Sequence, residues 1–402
     1  IVVLTECIAL PQASATDGVW TGNVYNASWS TPGNWTNGAV ASGSDATATF
    51  VNASNLSQAN QDIEGLTLGS IRLHGTAVTL LNKSITFDNG SVSPELYTGS
   101  DLFLRSSIAG SGALPMLKTG ASTLTFSPDN GTNTFSCGFS LNQGSAIVAT
   151  TRDGLPLGTG NLFLNGISSL RFNNGGYAYT AITNRDAVLG FSDAASIFMK
   201  TGMTTATSIT LGNPGASANS VLRRDNHGIL LLDSSTHAFG GGAKILVNGG
   251  VAVSDGVTCL PMVITAGGGD NDGSFVNYIE GIGLTNANQL LNGVTNGATT
   301  IGSVTNNTTL STNATVRALR VVVSAPCRDV LLTVANGSTL NVGDGTNPAM
   351  VLLGYDYNFH HGSILGGTLN FGTSEGIISF GGTCNANTAW PSIISTIAGS
   401  GG

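Results

Sequence analysis

Short strand patterns recur from about residue 65 to residue 372, and this recurrence limits the possible folds more than any other feature of the chain. Examples are GLTLGSIRLHG at 65–75, STLTFSPDNG at 122–131 and GSILGGTLNFG at 362–372. Gly, Asn or Asp follows most of these patterns, and such residues form the tight turns that end short strands. No long segment repeats apolar residues at the spacing of an amphipathic helix. The sequence therefore predicts an all-β protein.

The spacing of the patterns favours one kind of all-β fold. The strands follow one another more densely than the roughly 8–12-residue spacing typical of a β-sandwich. The roughly 40–50-residue period of propeller blades is not found. Only 9% of the residues are charged, and 56 of the 402 are Gly, which suits stacked strands with sharp corners. We therefore predict a parallel β-solenoid.

The chain divides into three predicted segments: an extended apolar segment at 1–15, a Trp-rich cap at 16–50 and the solenoid body at 51–402. The first segment is similar to the end of a secretory signal peptide, but it has no basic start and no initiator Met. We expect it to be retained as a strand that Pro11 ends, because Val and Ile favour strands. We predict that its apolar residues insert into a neighbouring subunit: Val2, Val3, Leu4, Ile8 and Leu10.

Three of the four tryptophans lie in the predicted cap, at Trp20, Trp29 and Trp35. Terminal repeats of a solenoid differ from the inner ones because they must cover an open end. Clustered aromatic residues therefore predict a cap over the first coil. The alternative is a platform on which sugar rings stack, which would make the protein an adhesin or a carbohydrate-binding surface module.

One segment resembles a known repeat family. Residues 107–172 follow the pattern of the autotransporter-associated β-strand repeat, and the Trp-rich opening is similar to the segment that precedes such repeats. Phe126 replaces the usual Leu of the pattern, and Ala121 replaces the usual Gly. The matching positions are Ile108, Gly110, Gly112, Leu114, Lys118, Gly120, Thr123, Leu124, Thr125, Asn133, Thr134, Phe135, Gly138, Gly144, Leu157, Gly158 and Gly160.

This resemblance carries expectations about fold and location. It implies a right-handed parallel β-helix that is secreted by, or displayed on, a bacterial cell. It implies no catalytic residues, because the repeat family has none of its own. Residues 180–402 are compatible with the pattern without matching it closely.

The sequence contains only weak candidates for catalytic and metal-binding residues. The densest acidic stretch, GGGDNDGSFVNYIEG at 267–281, contains Asp270, Asp272 and Glu280. It begins like a calcium loop but places its Gly and Glu at the wrong positions, so we expect a solvated loop. His360 and His361 are adjacent, and on a strand they point to opposite faces, which does not suit one metal ion. We predict no enzyme activity, no cofactor and no metal.

Charge and cysteines set further limits. The net charge is −8, and the only adjacent basic pair, Arg223 and Arg224, is followed by Asp225, so we expect no nucleic-acid partner. No apolar run approaches the roughly 20 residues of a membrane-spanning helix. The five cysteines form no CxxC pair, and their state stays open between free thiols, one or two long-range disulfides and a disulfide between subunits: Cys7, Cys137, Cys259, Cys327 and Cys384.

Three functions are weighed on this basis. The leading hypothesis is a non-enzymatic extracellular structural protein that forms a head-to-tail filament or surface layer through its N-terminal strand. The second is the adhesin or glycan-binding module. The third is a β-helix enzyme that degrades polysaccharides, which would need several carboxylates in one groove.

Overall fold

The computed structural model describes most of the chain. The described residues are 15–22, 25–51, 58–110, 112–129, 132–149, 155–173, 182–183, 188–200, 207–212, 215–217, 220–234, 239–251, 260–265, 273–287, 291–294, 297–323, 328–355, 360–382 and 391–400. They form strands, turns and two three-residue 3-10 helices at Pro32–Asn34 and Thr36–Gly38, with no α-helix among them. The prediction of an all-β protein is confirmed.

The strands fall into two groups, which we call the N-terminal body and the C-terminal body. The N-terminal body contains β1 (Gly18–Trp20), β2 (Ala27–Ser28), β3 (Thr47–Val51), β4 (Gln58–Gln61), β5 (Leu66–Leu68), β6 (Ser70–His74), β7 (Val78–Asn82), β8 (Ile85–Phe87), β9 (Glu95–Thr98), β10 (Leu102–Leu104), β11 (Ile108–Ala109), β12 (Met116–Thr119), β13 (Thr123–Phe126), β14 (Phe139–Leu141), β15 (Gly144–Val148), β16 (Leu162–Leu164), β17 (Ser168–Asn173), β18 (Ile182–Thr183), β19 (Leu189–Phe191), β20 (Ala194–Lys200), β21 (Thr207–Leu211), β22 (Leu222–Arg224), β23 (Ile229–Ser234), β24 (Ala243–Val247), β25 (Leu260–Thr265), β26 (Ser274–Ile279) and β27 (Gly283–Asn286). The C-terminal body contains β28 (Leu291–Asn292), β29 (Gly297–Val304), β30 (Thr308–Leu310), β31 (Ala314–Val321), β32 (Val330–Val334), β33 (Thr339–Val342), β34 (Ala349–Tyr355), β35 (Gly362–Asn370), β36 (Gly376–Gly382) and β37 (Ile393–Ala398).

Strands of the N-terminal body alternate between parallel sheets. The first sheet has the order β1-β3-β6-β9-β12-β14-β16-β19-β22, and the second begins β2-β4-β7-β10-β13-β15-β17-β20-β23-β25. Leu102 pairs with Leu124, Leu124 with Ala146 and Ala146 with Leu170. Each coil of the chain is therefore roughly 22–24 residues long. Two three-stranded sheets, β11-β8-β5 and β18-β21-β24, form a further side. This cyclic order is compatible with a β-solenoid.

The interior of the N-terminal body follows from the alternation of side chains along each strand. In β10, Leu102 and Leu104 point inward and are fully buried, whereas Phe103 between them faces outward. The same inward position is occupied on the next strands by Leu124 and Ala146. Stacked strands thus place apolar residues above one another, and one continuous apolar core results.

Two glycines show how tightly the corners stack. Gly120 has a φ of +81°, and a Cβ there would lie 2.5 Å from the Thr98 carbonyl oxygen of the preceding coil. Gly144 has a φ of +73°, and a Cβ there would lie 2.7 Å from the Ala121 carbonyl oxygen. Only Gly combines a positive φ with so close an approach of backbone. Both positions are among those on which the sequence resemblance rests.

Polar side chains also stack at one corner. The Asn165 amide donates to Asn142 Oδ1 at 2.9 Å and to Ser140 Oγ at 2.9 Å. One coil further on, the Ser192 hydroxyl donates to Asn165 Oδ1 at 3.2 Å. Such ladders join successive coils by side-chain hydrogen bonds in addition to the backbone pairing.

The last strands of the N-terminal body change direction. The strands β26 and β27 form an antiparallel hairpin on β25. Tyr278 and Leu284 of this hairpin are buried in the N-terminal core, and the Tyr278 hydroxyl donates to the Val247 carbonyl oxygen at 2.8 Å. The hairpin therefore interrupts the parallel stack and covers its end.

The C-terminal body is a second set of parallel strands with its own apolar core. Its sheet runs β28-β29-β31-β33-β35-β32-β30, with β34 between β31 and β36 and with β37 beside β35. Long strands bend around corners: β31 pairs through Ala314–Val316 with β33 and through Leu319–Val321 with β34. The predicted single body at 51–402 thus contains two separate sets of sheets.

The C-terminal body lies beside the N-terminal body and runs back along it. Arg320 in β31 donates to the Gly273 carbonyl oxygen next to β26 at 2.8 Å. Further along, Glu375 next to β36 pairs with Arg224 at the end of β22. Successive strands of the C-terminal body therefore contact progressively earlier coils of the N-terminal body. No helix in the described part of the chain has the length and apolarity that crossing a bilayer requires.

Candidate functional site

The three tryptophans of the predicted cap are buried. Trp20 and Trp29 have no exposed surface, and Trp35 is 3% exposed. Their rings pack edge to face, with 4.9 Å between the centroids of Trp20 and Trp35 and of Trp29 and Trp35. Each indole N–H donates to a backbone carbonyl: Trp20 to Gly22, Trp29 to Ala41 and Trp35 to Trp29.

This packing corrects one of the hypotheses. A platform for sugars needs aromatic ring faces that are open to solvent, and Trp20, Trp29 and Trp35 have none. They cover the apolar interior at the first coil together with Phe50, 5.7 Å from Trp20 between ring centroids. The N-terminal end of the described chain is therefore closed by an aromatic plug, which we call the Trp cap.

Two other sets of predicted residues lie outside the described part of the chain. They are the assembly residues Val2, Val3, Leu4, Ile8 and Leu10, and the weak metal candidates Asp270 and Asp272. Of the histidine pair, His361 lies with its Nδ1 3.3 Å from Asp329 Oδ1, and its backbone N–H donates to the same oxygen at 3.1 Å. Among the described residues no group of three or more His, Cys, Asp or Glu could hold a metal ion.

Several of the described carboxylates form ion pairs between neighbouring coils. Arg72 contacts Glu95 at 2.6 Å and Arg105 contacts Asp129 at 2.8 Å, in each case on the outward face. Exposed pairs of this kind contribute little to stability. They tie coils together and do not converge in one groove.

The last described coil of the C-terminal body differs from the Trp cap. In the last coil of the C-terminal body, Phe380 pairs in register with Leu353, and Ile397 with Leu369. Leu353 and Leu369 point into the core and are fully buried. Phe380 and Ile397 therefore also point inward, yet each is 55% exposed. We call the surface formed by β36 and β37 the bare end.

Within the described part of the chain, the backbone of the bare end also has free pairing positions. Among the described strands, β36 pairs only with β34 and β37 only with β35. Neither strand contains Lys, Pro or any charged residue, which are the usual means of blocking a strand edge. An edge with unpaired N–H and C=O groups and apolar side chains is a template for a further strand.

A cleft of about 370 Å³ lies next to the bare end, between the two bodies. Its lining is mostly apolar and contains no charged residue. The lining residues are Ala194, Ala195, Ser196, Ile229, Leu231, Ile264, Thr265, Gly273, Leu352, Ser379 and Phe380. The cleft offers apolar surface, hydroxyls and backbone, and no group for acid, base or metal chemistry.

A partly buried ion pair holds the bare end against the N-terminal body. Arg224 Nη1 and Nη2 donate to Glu375 Oε2 at 2.6 Å and Oε1 at 2.7 Å, and both side chains are less than one fifth exposed. The hydrogen bond from Arg224 is the main reason why the pKa of Glu375 lies below its usual range. Met350, Leu352 and Ile377 pack beside this pair against Ile264 and Phe275.

One more charged group lies in the interior. Lys118 is fully buried, and its Nζ donates to the carbonyl oxygens of Gly120 and, at 2.8 Å, of Gln143. Burial lowers the pKa of Lys118 to about 8. The ammonium donates to two carbonyl oxygens at adjacent corners, so Lys118 stabilises the stacking of these corners.

A comparison with protein-family models, curated proteins and solved structures finds no match to this chain. The site must therefore be interpreted from its own geometry. The bare end was missed by sequence reasoning, although one signal is present: GIISFGG and IISTIA lack the charged residues that commonly protect edge strands. The cleft has no such signal, because residues separated by more than 150 positions line it.

Proposed function

We propose that this chain is a non-enzymatic structural protein whose copies assemble through the bare end. The single observation that carries the proposal is the exposure of Phe380 and Ile397, whose partners one coil earlier are fully buried. Burying such surface against another chain is favourable by about 25 cal/mol per Å² before the costs of association.

We infer a right-handed parallel β-helix, which the resemblance of residues 107–172 to the autotransporter-associated repeat implies and the parallel pairing supports. Secretion by a bacterium and location outside or on the cell follow from the same resemblance. The scarcity of charged residues and the absence of convergent carboxylates among the described residues favour a structural role over an enzyme.

The predicted N-terminal strand gives the assembly its second surface. The Trp cap leaves no open indole ring at the first described coil, which disfavours stacking of a second subunit there. Instead, residues 1–10 of one copy add to the bare end of the next, which joins two different surfaces. Such a heterologous contact builds an open filament or layer unless it closes into a ring.

Electron microscopy of the purified chain at neutral pH tests this function. We expect filaments or sheets from the full chain and single particles after deletion of residues 1–11. Single particles from the full chain over a wide range of concentrations would refute the assembly. Unchanged filaments from the deletion variant would refute the role of the N-terminal strand.

A further inference from the structure

The edge of β36 has two apolar sides. Its inward side presents Ile378 and Phe380, which continue the core of the C-terminal body. Its outward side presents Ile377 and Ser379, which continue the column of Met350 and Leu352 against the N-terminal body. A strand that pairs with this edge would therefore have apolar surroundings on both faces.

The cleft lies where the outward face of such a strand would be. Successive strands of the C-terminal body approach β26, then β25, then the coil of β22 and β23. The next strand in this progression would lie against β20, which contributes Ala194 and Ser196 to the cleft. These side chains are small, and they leave room above β20 for the side chains of an added strand.

Apart from Glu6, residues 1–10 have the apolar composition that this position requires. Strands buried on both faces are almost continuously apolar, whereas half-buried strands alternate. In IVVLTECIAL both alternating sets are apolar apart from Thr5 and Glu6. One set is Ile1, Val3, Thr5, Cys7 and Ala9, and the other is Val2, Leu4, Glu6, Ile8 and Leu10.

We propose that the cleft and the edge of β36 together form the acceptor for residues 1–10 of a second copy, an inference that rests on the function proposed above. The donor strand pairs with β36 through its backbone. One set of its side chains covers Phe380 and Ile378, and the other fills the cleft above Ala194 and Ser196. Recognition combines strand addition with burial of alternate side chains.

Photo-cross-linking in the full chain tests the acceptor. A photoreactive amino acid replaces Leu4, copies of two isotopic labels are mixed, and the cross-linked peptides are identified by mass spectrometry. We expect cross-links between differently labelled copies that map to β20, β36 or β37. A probe at Tyr25, which is exposed beside the Trp cap, is the positional control and should not reach these strands.

Two matched variants make the test specific to the cleft. Ser196→Trp fills the cleft, and because overpacking costs one or more kcal/mol it should lower the yield of these cross-links about tenfold. Ser145 pairs in register with Ser169, and Ser169 with Ser196, so Ser145 occupies the equivalent outward position two coils away. Ser145→Trp should leave the yield of these cross-links unchanged. The proposal is overturned if the cross-links lie within one copy, map elsewhere, or resist Ser196→Trp.

The outcomes also separate this inference from the function on which it rests. Sedimentation of the same samples measures assembly without reference to the cleft. Assemblies whose cross-links map elsewhere contradict the acceptor and leave the structural function standing. Samples that sediment only as monomers contradict both.

Discussion

The first described coil of the N-terminal body and the last described coil of the C-terminal body are closed to different extents. At the first coil, Trp20, Trp29 and Trp35 cover the apolar interior and satisfy their own indole N–H groups with carbonyls. At the last described coil, Phe380 and Ile397 occupy interior positions with about half of their surface exposed. Large apolar residues can therefore close a stack of strands, or they can leave apolar surface to which a further strand can be added.

The largest expected effect concerns the Trp cap. Replacing Trp29 by Ala should lower the free energy of unfolding by about 3–5 kcal/mol, because a buried indole and its hydrogen bond to Ala41 are lost. Urea unfolding followed by circular dichroism measures this change. Tyr25→Ala, at an exposed position next to the cap, is the control and should change stability by less than about 0.5 kcal/mol. Equal losses in both variants would contradict a closed end.

The second prediction compares the same residue type inside the stack and at its bare end. Phe87 and Phe380 both point inward, but Phe87 is 1% exposed. Phe87→Ala should cost about 3–4 kcal/mol of stability, whereas Phe380→Ala in the monomer should cost less than about 1 kcal/mol. Denaturant titrations at protein concentrations too low for assembly measure both. A large loss of stability from Phe380→Ala would mean that this side chain is already packed against other residues of the monomer.

Substitution of Lys118 tests how much a buried ammonium contributes to the stability of the N-terminal body. Lys118→Met removes the donor for the Gly120 and Gln143 carbonyls and should lower the free energy of unfolding by about 1–3 kcal/mol. Lys244→Met, on the outward face of β24, should cost less.

The pH dependence gives an independent check on Lys118. Its folded-state pKa of about 8 lies below the ordinary lysine value, so the unfolded chain binds more protons between about pH 8 and pH 10. The free energy of unfolding should therefore increase with pH over this interval, and Lys118→Met should abolish this increase. Identical pH profiles for both proteins would contradict the buried ammonium.

The smallest of these stability effects concerns the ion pair beside the bare end. Glu375→Gln should lower the free energy of unfolding by about 1–2 kcal/mol at pH 7, because Arg224 then lacks its bidentate partner. Since the folded state lowers the pKa of Glu375, this contribution is complete above the ordinary carboxyl pKa of about 4.3 and is lost as the pH falls through the lowered value. Unfolding curves of both proteins should therefore converge in acid. Asp129 forms an exposed ion pair with Arg105, so Asp129→Asn should have nearly the same free energy of unfolding as the wild type at any pH.

The sequence allowed the repetitive part of the fold to be predicted and left the arrangement of the two bodies open. Alternation in segments such as 102–104 and turn glycines such as Gly120 and Gly144 are local signals, and they predict stacked strands. The antiparallel hairpin at 274–286 and the pairing of Arg224 with Glu375 depend on contacts between distant residues. No local pattern encodes them, so the division of the predicted body at 51–402 was not expected.

The candidate site shows the same limit. The Trp cluster was visible in the sequence, but whether its rings face solvent or the core depends on packing across the first coil. The exposure of Phe380 and Ile397 depends on whether another strand packs over them, and IISFGG resembles the other apolar strands of the chain. The bare end was therefore not predicted from the sequence.

The most direct test of the central claim is sedimentation velocity of the wild-type chain and of the double variant Phe380→Asp and Ile397→Asp at neutral pH. Both substitutions place charges on the bare end, where more than half of each side chain is exposed, so the monomer should stay folded. We expect the wild-type chain to form large assemblies as its concentration rises and the variant to stay monomeric with an unchanged circular dichroism spectrum. Assemblies of the same size from both proteins would contradict the assignment of the bare end as the assembly surface.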